Sequence, residues 1–436
     1  MATLAGGLRR GAAQSDAAVL RADEIGPLAV AVLDGRISAV GPEPEVRARL
    51  AGLGIDPDAL IRIDAAGGTI TPGLIDAHTH LAFAGTREGE LGLRQQGAGY
   101  LGILAAGGGI LSTVERTRAA SYEELLAVAR RWSREMLRHG VTTAEAKSGY
   151  GLDLTTELRL LDVYRTLDAE GPLELVPTYL GAHAVPAEFA GRLDDYVADI
   201  VERHLPAVAE QGVARFCDVF CERGVFDAPR SRRILEAGRA SGLGARLHAD
   251  ELEDSGGARL AAEIGAVSAD HLAAISGDGI AALGRAADDG RPVVATLLPS
   301  TTYHLTAEHH APARALIERG VPVALGTDFN PGTSPLPNLQ VAMTMATVQL
   351  GLTATEALVA ATVNAAHAVG LGATHGALEE GRAGDLVIWD VPRHDLIPYW
   401  LGADLVRNVV KSGRHVHHSS RATDPGAGEA PVASPR

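Results

Sequence analysis

Short apolar runs, each the length of a β-strand, recur through the middle of the chain and alternate with longer stretches of helical periodicity. Eight such runs lie at 74–80, 141–147, 173–183, 213–220, 245–250, 266–272, 292–298 and 321–328. The intervening stretches open on good capping residues: Ser121 leads Tyr-Glu-Glu into LLAVARRWSREML, and Asp227 leads into PRSRRILEAGRASG. Eight strand–helix units predict an α/β protein built as a (β/α)8 TIM-like barrel, with a doubly wound open sheet as the competing architecture. The pattern changes at both ends. Residues 19–64, AGDLVIWDV at 383–391 and LVRNVVKSGRHV at 405–416 read as short strands, with turns at Asp34-Gly35 and Ser412-Gly413. A small β-sandwich module made from both terminal segments is therefore expected beside the barrel.

The expected boundaries are 1–70 for the N-terminal β segment, 71–370 for the barrel and 371–415 for the C-terminal β segment. Residues 416–436 are expected to be disordered, because SSRATDPGAGEAPVASPR is small, polar and proline-bearing. His415, His417 and His418, just before that stretch, could bind stray metal, but a solvated tail is the better reading.

Composition narrows the classes of partner. Of 436 residues, 46% are hydrophobic and only 4% aromatic, which describes a core of Ala, Val and Leu. The formal net charge of -15 argues against nucleic acid or an anionic membrane surface. There is neither the apolar run of a signal peptide at the start nor an uninterrupted membrane-length stretch, so a cytoplasmic location is expected. Cys217 and Cys221 in FCDVFC would lie about 13 Å apart along a strand, too far for a disulfide, and are expected to be buried free thiols.

The polar residues at the ends of the apolar runs carry the chemistry. His78 and His80 in TPGLIDAHTHL share one side of an extended chain, since the side-chain period is two. His183, His248, His271 and Asp328 close the third, fifth, sixth and eighth runs, and barrel active sites form at the C-terminal strand ends. His78, His80, His248 and Asp328 can supply the ligands of one divalent metal. Glu251 in His-Ala-Asp-Glu is placed to move a proton from an attacking water to a leaving nitrogen, ahead of Asp250, which would share the face of His248. His271 could polarise a carbonyl or ligate a second metal; one metal is the simpler account. Lys147 ends the second run without any mark of a ligand. The long loop after the first strand offers Arg87, suited to a bidentate grip on a carboxylate, and Tyr100. Tyr150 and His183 stand at other strand ends. Gly97-Ala-Gly99-Tyr-Leu-Gly102 is formally G-x-G-x-x-G, but it lacks the strand-to-helix turn and the downstream acid of a dinucleotide site.

Taken together, IDAHTH, the histidine of RLHADE, ADHL and GTDFNPG resemble the amidohydrolase superfamily of metal-dependent barrels. Within it, FAGTREGEL, QQGAGYLGILAAGGGI, AKSGYGL, YLGAHAVP, HADEL and DFNPGTSP are similar to the imidazolonepropionase family, over a span from about Ile25 to Gly413. The resemblance implies one mononuclear zinc or iron site on His78, His80, His248 and Asp328. It implies substrate contacts from Arg87, Tyr100, Tyr150, His183, Glu251, Asn330, Gly332 and Thr333. The implied reaction is hydrolysis of the cyclic amide of a small anion, 4-imidazolone-5-propanoate, to N-formimidoyl-L-glutamate, with Glu251 carrying the proton and His271 helping to stabilise the oxyanion. A deaminase of a pyrimidine or aminopurine ring is the alternative, against which Arg87 speaks, since a neutral base has no carboxylate. The resemblance also leaves a homodimer open.

Overall fold

The computed structural model describes residues 1–99, 102–103 and 108–419. Eight parallel strands follow one another in chain order: β4 (Leu74–Asp76), β5 (Val141–Lys147), β6 (Glu174–Ala182), β7 (Phe216–Cys221), β8 (Gly244–Ala249), β9 (Ser268–His271), β10 (Val294–Leu297) and β11 (Val323–Leu325). β5 and β7 are buried at every position, as strands covered by helices on one face and by the barrel interior on the other must be. The seam between β11 and β4 is closed past the ends of both ladders. There the Asp328 amide donates to His78 O at 2.9 Å and the His80 amide to Phe329 O at 2.8 Å. The Thr327 hydroxyl adds a 2.6 Å bond to the Asp76 carboxylate. The architecture is the expected barrel rather than an open sheet.

Local sequence accounts for the outer helices. Ser121 and Glu124 cap the helix Tyr122–Arg138 reciprocally, and its buried residues Leu125, Ala129, Ser133 and Met136 recur every three to four positions. Asp227 caps Ala228–Ala240 by accepting from the Arg230 amide. Among the described residues no helix is long and apolar enough to cross a membrane.

The small module has two layers. One is the hairpin of β1 (Leu28–Leu33) and β2 (Arg36–Pro42), turning at Asp34 and Gly35 with both φ angles positive, +48° and +78°. The other is an antiparallel sheet of β3 (Thr69–Pro72), β12 (Leu386–Trp389), β13 (Val406–Lys411) and β14 (Arg414–His418), in the order β14-β13-β12-β3. Ile37, Leu386 and Val410 pack with Leu378 between the layers.

Two expectations are corrected here. The stretch from 19 to 64 is not only strands, because Glu43–Gly52 is a helix that buries Val46 and Leu50, four residues apart, in one cluster with Ala31. His415, His417 and His418 lie in β14 rather than in a solvated tail, and the His415 and His418 rings both bond Asn408 Oδ1, at 2.8 and 3.0 Å. Residues 420–436 lie outside the described residues.

An ion-pair cluster ties the barrel to the small sheet. Lys411 Nζ donates to Asp385 at 2.7 Å and to Glu174, at the start of β6, at 2.8 Å, and His375 bonds Glu174 at 3.0 Å. Burial pushes the Glu174 carboxyl up, but His375 and Lys411 outweigh it and hold it down at about 2. A carboxyl depressed in the folded state stabilises it above its unfolded value near 4.5, and that contribution is lost as pH falls towards 2. Glu174→Gln is therefore expected to cost up to about 3 kcal/mol at neutral pH, with the gap to wild type closing between pH 4.5 and 2. Urea midpoints of both proteins across that range would check it; a gap that does not change with pH would show that the cluster contributes no charge-dependent stability.

Candidate metal centre and substrate cleft

Every polar residue that closes an apolar run in the sequence arrives at the same end of the barrel. His78 and His80 follow β4, with the Lys147 amide bonded to Thr79 O at 2.9 Å between them. His248 lies near the end of β8, His271 ends β9, and Asp328 follows β11. Ring centroids are 4.5 Å apart for His78–His248, 5.4 Å for His78–His80 and 5.2 Å for His248–His271. Asp328 Oδ1 stands 3.5 Å from His78 Nε2 and 3.4 Å from His80 Nε2. His271 and Asp328 hold φ of +74° and +51°, a conformation that costs residues other than glycine about 1–3 kcal/mol and is sustained where surrounding structure fixes it.

Each imidazole is aimed by a partner behind it. His78 Nδ1 donates to Asp270 Oδ2 at 2.7 Å and His248 Nδ1 to Asp218 Oδ1 at 3.1 Å, which leaves both Nε2 atoms as bare acceptors facing the cleft. The Thr301 hydroxyl donates to Asp328 Oδ2 at 2.6 Å, leaving Oδ1 turned to the histidines. Burial drives the His78, His80 and His183 rings well below the ordinary imidazole range and His271 down to about 3, so these rings are neutral, the form that ligates metals. His78 Nε2, His248 Nε2 and His271 Nε2 are buried with no hydrogen-bond partner. Buried polar atoms left bare cost free energy unless something occupies them, and imidazole nitrogens beside a carboxylate form the donor set of a transition-metal ion. The residues therefore fit a metal. By distance they form three overlapping triads: His78, His80 and Asp328; His80, His183 and His248; His78, His248 and His271. The four ligands expected from the sequence are all among them, and His271 stands as near as any.

The cleft in front of these groups encloses about 310 Å³ up to its open mouth, small even for a small-molecule site. Glu251 lines it, with Oε1 3.7 Å from His271 Nδ1 and its side chain 9% exposed. Burial first, then the negative charges of Asp328 and Glu222, push its carboxyl well up. Asp250 turns away and caps the helix Gly257–Ile264, accepting from the amides of Gly257 and Ala258 at 2.9 Å each. Tyr150 and His183 also line it; burial raises the Tyr150 phenol, which stays a proton donor. His183 donates Nδ1 to Gly149 O at 3.0 Å and stacks on His80 at 4.9 Å.

Arg87 is 6% exposed, yet its Nε and Nη1 have no hydrogen-bond partner, and the nearest carboxylate contact is Glu90 Oε2 at 3.8 Å. Its guanidinium lies directly over Gly332, where a Cβ would come within 1.6 Å of Nη2. Gly332→Ala should therefore displace Arg87 and raise KM at least tenfold while kcat changes less, on the scale of a misplaced positioning group; unchanged steady-state kinetics would show that the guanidinium has room to shift. Asn330, expected as a substrate contact, has its side chain bonded within the loop: Oδ1 accepts from the Gly332 and Thr333 amides and Nδ2 donates to Asp328 O and Thr333 Oγ1. Its side chain is engaged in shaping the loop, while Thr333 reaches the cleft. Tyr100 lies outside the described residues. Cys217 and Cys221 are buried free thiols, as expected. Sequence reading missed Phe220 and Ile110, which line the cleft as ordinary apolar residues, and Asp218, Asp270 and Thr301 behind the ligands.

A parallel barrel whose strand ends converge histidines, a carboxylate and a buried glutamate on one cleft has the groups that a metal-assisted hydrolase needs. The Amidohydrolase family model matches residues 69–416. An imidazolonepropionase from Geobacillus kaustophilus is 49% identical over 383 residues, covering 88% of each chain. Another, from Symbiobacterium thermophilum, is 48% identical over 415 residues, 95% of this chain and 94% of its own. Among solved structures, an adenosine deaminase from Xanthomonas campestris with bound zinc shares the fold at a TM-score of 0.63 and 20% identity, covering 89% of this chain and 88% of its own. The chain belongs to the amidohydrolase family and, within it, to the imidazolonepropionases. Family membership and the donor set together support a divalent metal in the cleft.

Proposed function

We infer that the protein hydrolyses the cyclic amide of 4-imidazolone-5-propanoate to N-formimidoyl-L-glutamate in histidine degradation, with one divalent ion, zinc or iron, held by His78, His80, His248 and Asp328. The observation that carries the substrate is Arg87, a buried cation with bare N–H donors in the same cleft as the histidines and Glu251. A bound divalent ion would supply Lewis acidity, acidifying water and polarising the lactam carbonyl. The protein's own groups do the rest. Arg87 holds the propanoate, and Tyr150, His183 and Thr333 fix the ring so that its carbonyl faces Glu251 and His271. Glu251 accepts the proton of the attacking water at a carboxylate oxygen and returns it to the ring nitrogen as the C–N bond breaks. His271 donates a hydrogen bond to the carbonyl oxygen as negative charge develops there. Two buried free thiols suit a reducing compartment, and we place the enzyme in the cytoplasm.

The test is direct. Metal-loaded protein is mixed with fresh 4-imidazolone-5-propanoate, the ring's ultraviolet absorbance is followed, and product is read by mass and by an ammonia assay. Gain of one water without ammonia is expected. Release of ammonia, or inertness towards this ring while a cytosine- or guanine-like ring is consumed, would make the protein a deaminase instead.

A further inference from the structure

Below the cleft, the barrel interior holds a layer of charge where branched apolar side chains ordinarily pack. Lys147, Asp218 and Asp270 come from β5, β7 and β9, alternate strands that contribute to one interior layer in this fold. Lys147 Nζ lies 2.7 Å from Glu145 Oε1, 2.7 Å from Asp218 Oδ2 and 3.5 Å from Asp270 Oδ2, and all four side chains are wholly buried. Asp218 turns its other oxygen, Oδ1, to the ring and the backbone amide of His248, both at 3.1 Å. Asp270 presents Oδ2 to His78 Nδ1 at 2.7 Å and to Arg246 Nη2 at 2.9 Å.

We propose that Lys147 is a positioning residue, the common clamp that holds Asp218 and Asp270 in place and through them fixes the ring orientation and tautomer of His248 and His78. The proposal rests on the reading that these histidines ligate a divalent ion. Two carboxylates drawn to one buried centre repel each other strongly in a low dielectric, and a cation between them removes that repulsion. With the ammonium gone Asp218 loses the cation on its Oδ2 while Asp270 keeps only Arg246, so the restored repulsion shifts both carboxylates and with them the geometry that keeps each imidazole's Nε2 bare and aimed at the cleft. The one side chain thus couples ligands from two strands that do not adjoin, β4 and β8. Burial of so much charge is a weak source of stability, since well-packed apolar residues often serve as well or better. Its use here is geometric.

The experiment measures zinc affinity of the full-length protein by competition with a chromophoric chelator, alongside thermal melting. Lys147→Met should weaken zinc binding about 10- to 100-fold with a cooperative melt retained, and Lys147→Arg, which keeps the cation, should recover most of the loss. A folded Lys147→Met protein with affinity within about threefold of wild type overturns the proposal. If Lys147→Met does not fold, the charge-balanced pair Glu145→Gln/Lys147→Met is compared with Glu145→Gln alone. A further loss of at least about tenfold supports the clamp, and equal affinity overturns it. A wild-type protein that takes up no divalent ion would instead sink the metal reading itself, which separates the two failures.

Discussion

Replacing Glu251 with glutamine is expected to lower turnover at least about 100-fold, the usual scale for a positioned acid–base group, while zinc affinity stays near that of wild type. The substitution keeps size and hydrogen bonding but removes the capacity to accept a proton. Glu251 sits in none of the distance-defined ligand triads, so its loss should not unseat a metal. The carboxyl is buried, and burial together with Asp328 and Glu222 raises its proton affinity, which suits a group that must take up a proton and later return it. Steady-state rates and metal content measured on the same preparation decide the matter. Near-normal turnover removes Glu251 from the role, and loss of metal along with activity would make it part of the coordination shell.

Arg87→Met should reduce kcat/KM by about 10²–10³, the effect of losing one partner of a buried, charge-assisted pair. The loss should be specific to the propanoate. On an analogue whose side chain carries an amide in place of the carboxylate, wild type and Arg87→Met should react at nearly the same, already low, rate. Because the ion-pair partner of Arg87 is Glu90 and not a residue of the ligand triads, metal content should be unaffected. Equal losses on both substrates would mean that Arg87 shapes the cleft rather than reading charge.

The barrel was legible because each of its eight strands lies in a bounded apolar run, and several of those runs close on a polar residue that marks the mouth. His78, His80, His248, His271 and Asp328 could be placed on that basis alone. What lies behind them was less so. Asp218 in FCDVFC and Glu145 in VTTAEAK look like solvent-facing alternates in a strand, yet both strands are buried throughout. A signal was available: in a parallel strand covered on both faces an ionised side chain needs a partner, and Lys147, two residues after Glu145, is one. The helix Glu43–Gly52 was hidden for a different reason. Its neighbours are strongly strand-like, and its own case rests on Val46 and Leu50 alone, packed against Ala31 of β1. Asn330 was expected as a substrate contact from the resemblance to the imidazolonepropionase family; the hydrogen bonds of its side chain within the loop are a tertiary outcome that no spacing could reveal.

The small sheet places its two halves at opposite ends of the synthesis schedule. β3 pairs with β12 in the register Pro72 to Leu386, so the earlier strand's partner is made 314 residues after it. At translation rates of about 5–20 residues per second, β3 leaves the ribosome roughly 15–60 s before that partner exists. An unpaired strand edge exposed for so long invites pairing with other nascent chains. The β3–β12 ladder can therefore form only after the whole of the barrel sequence between its two strands has been made.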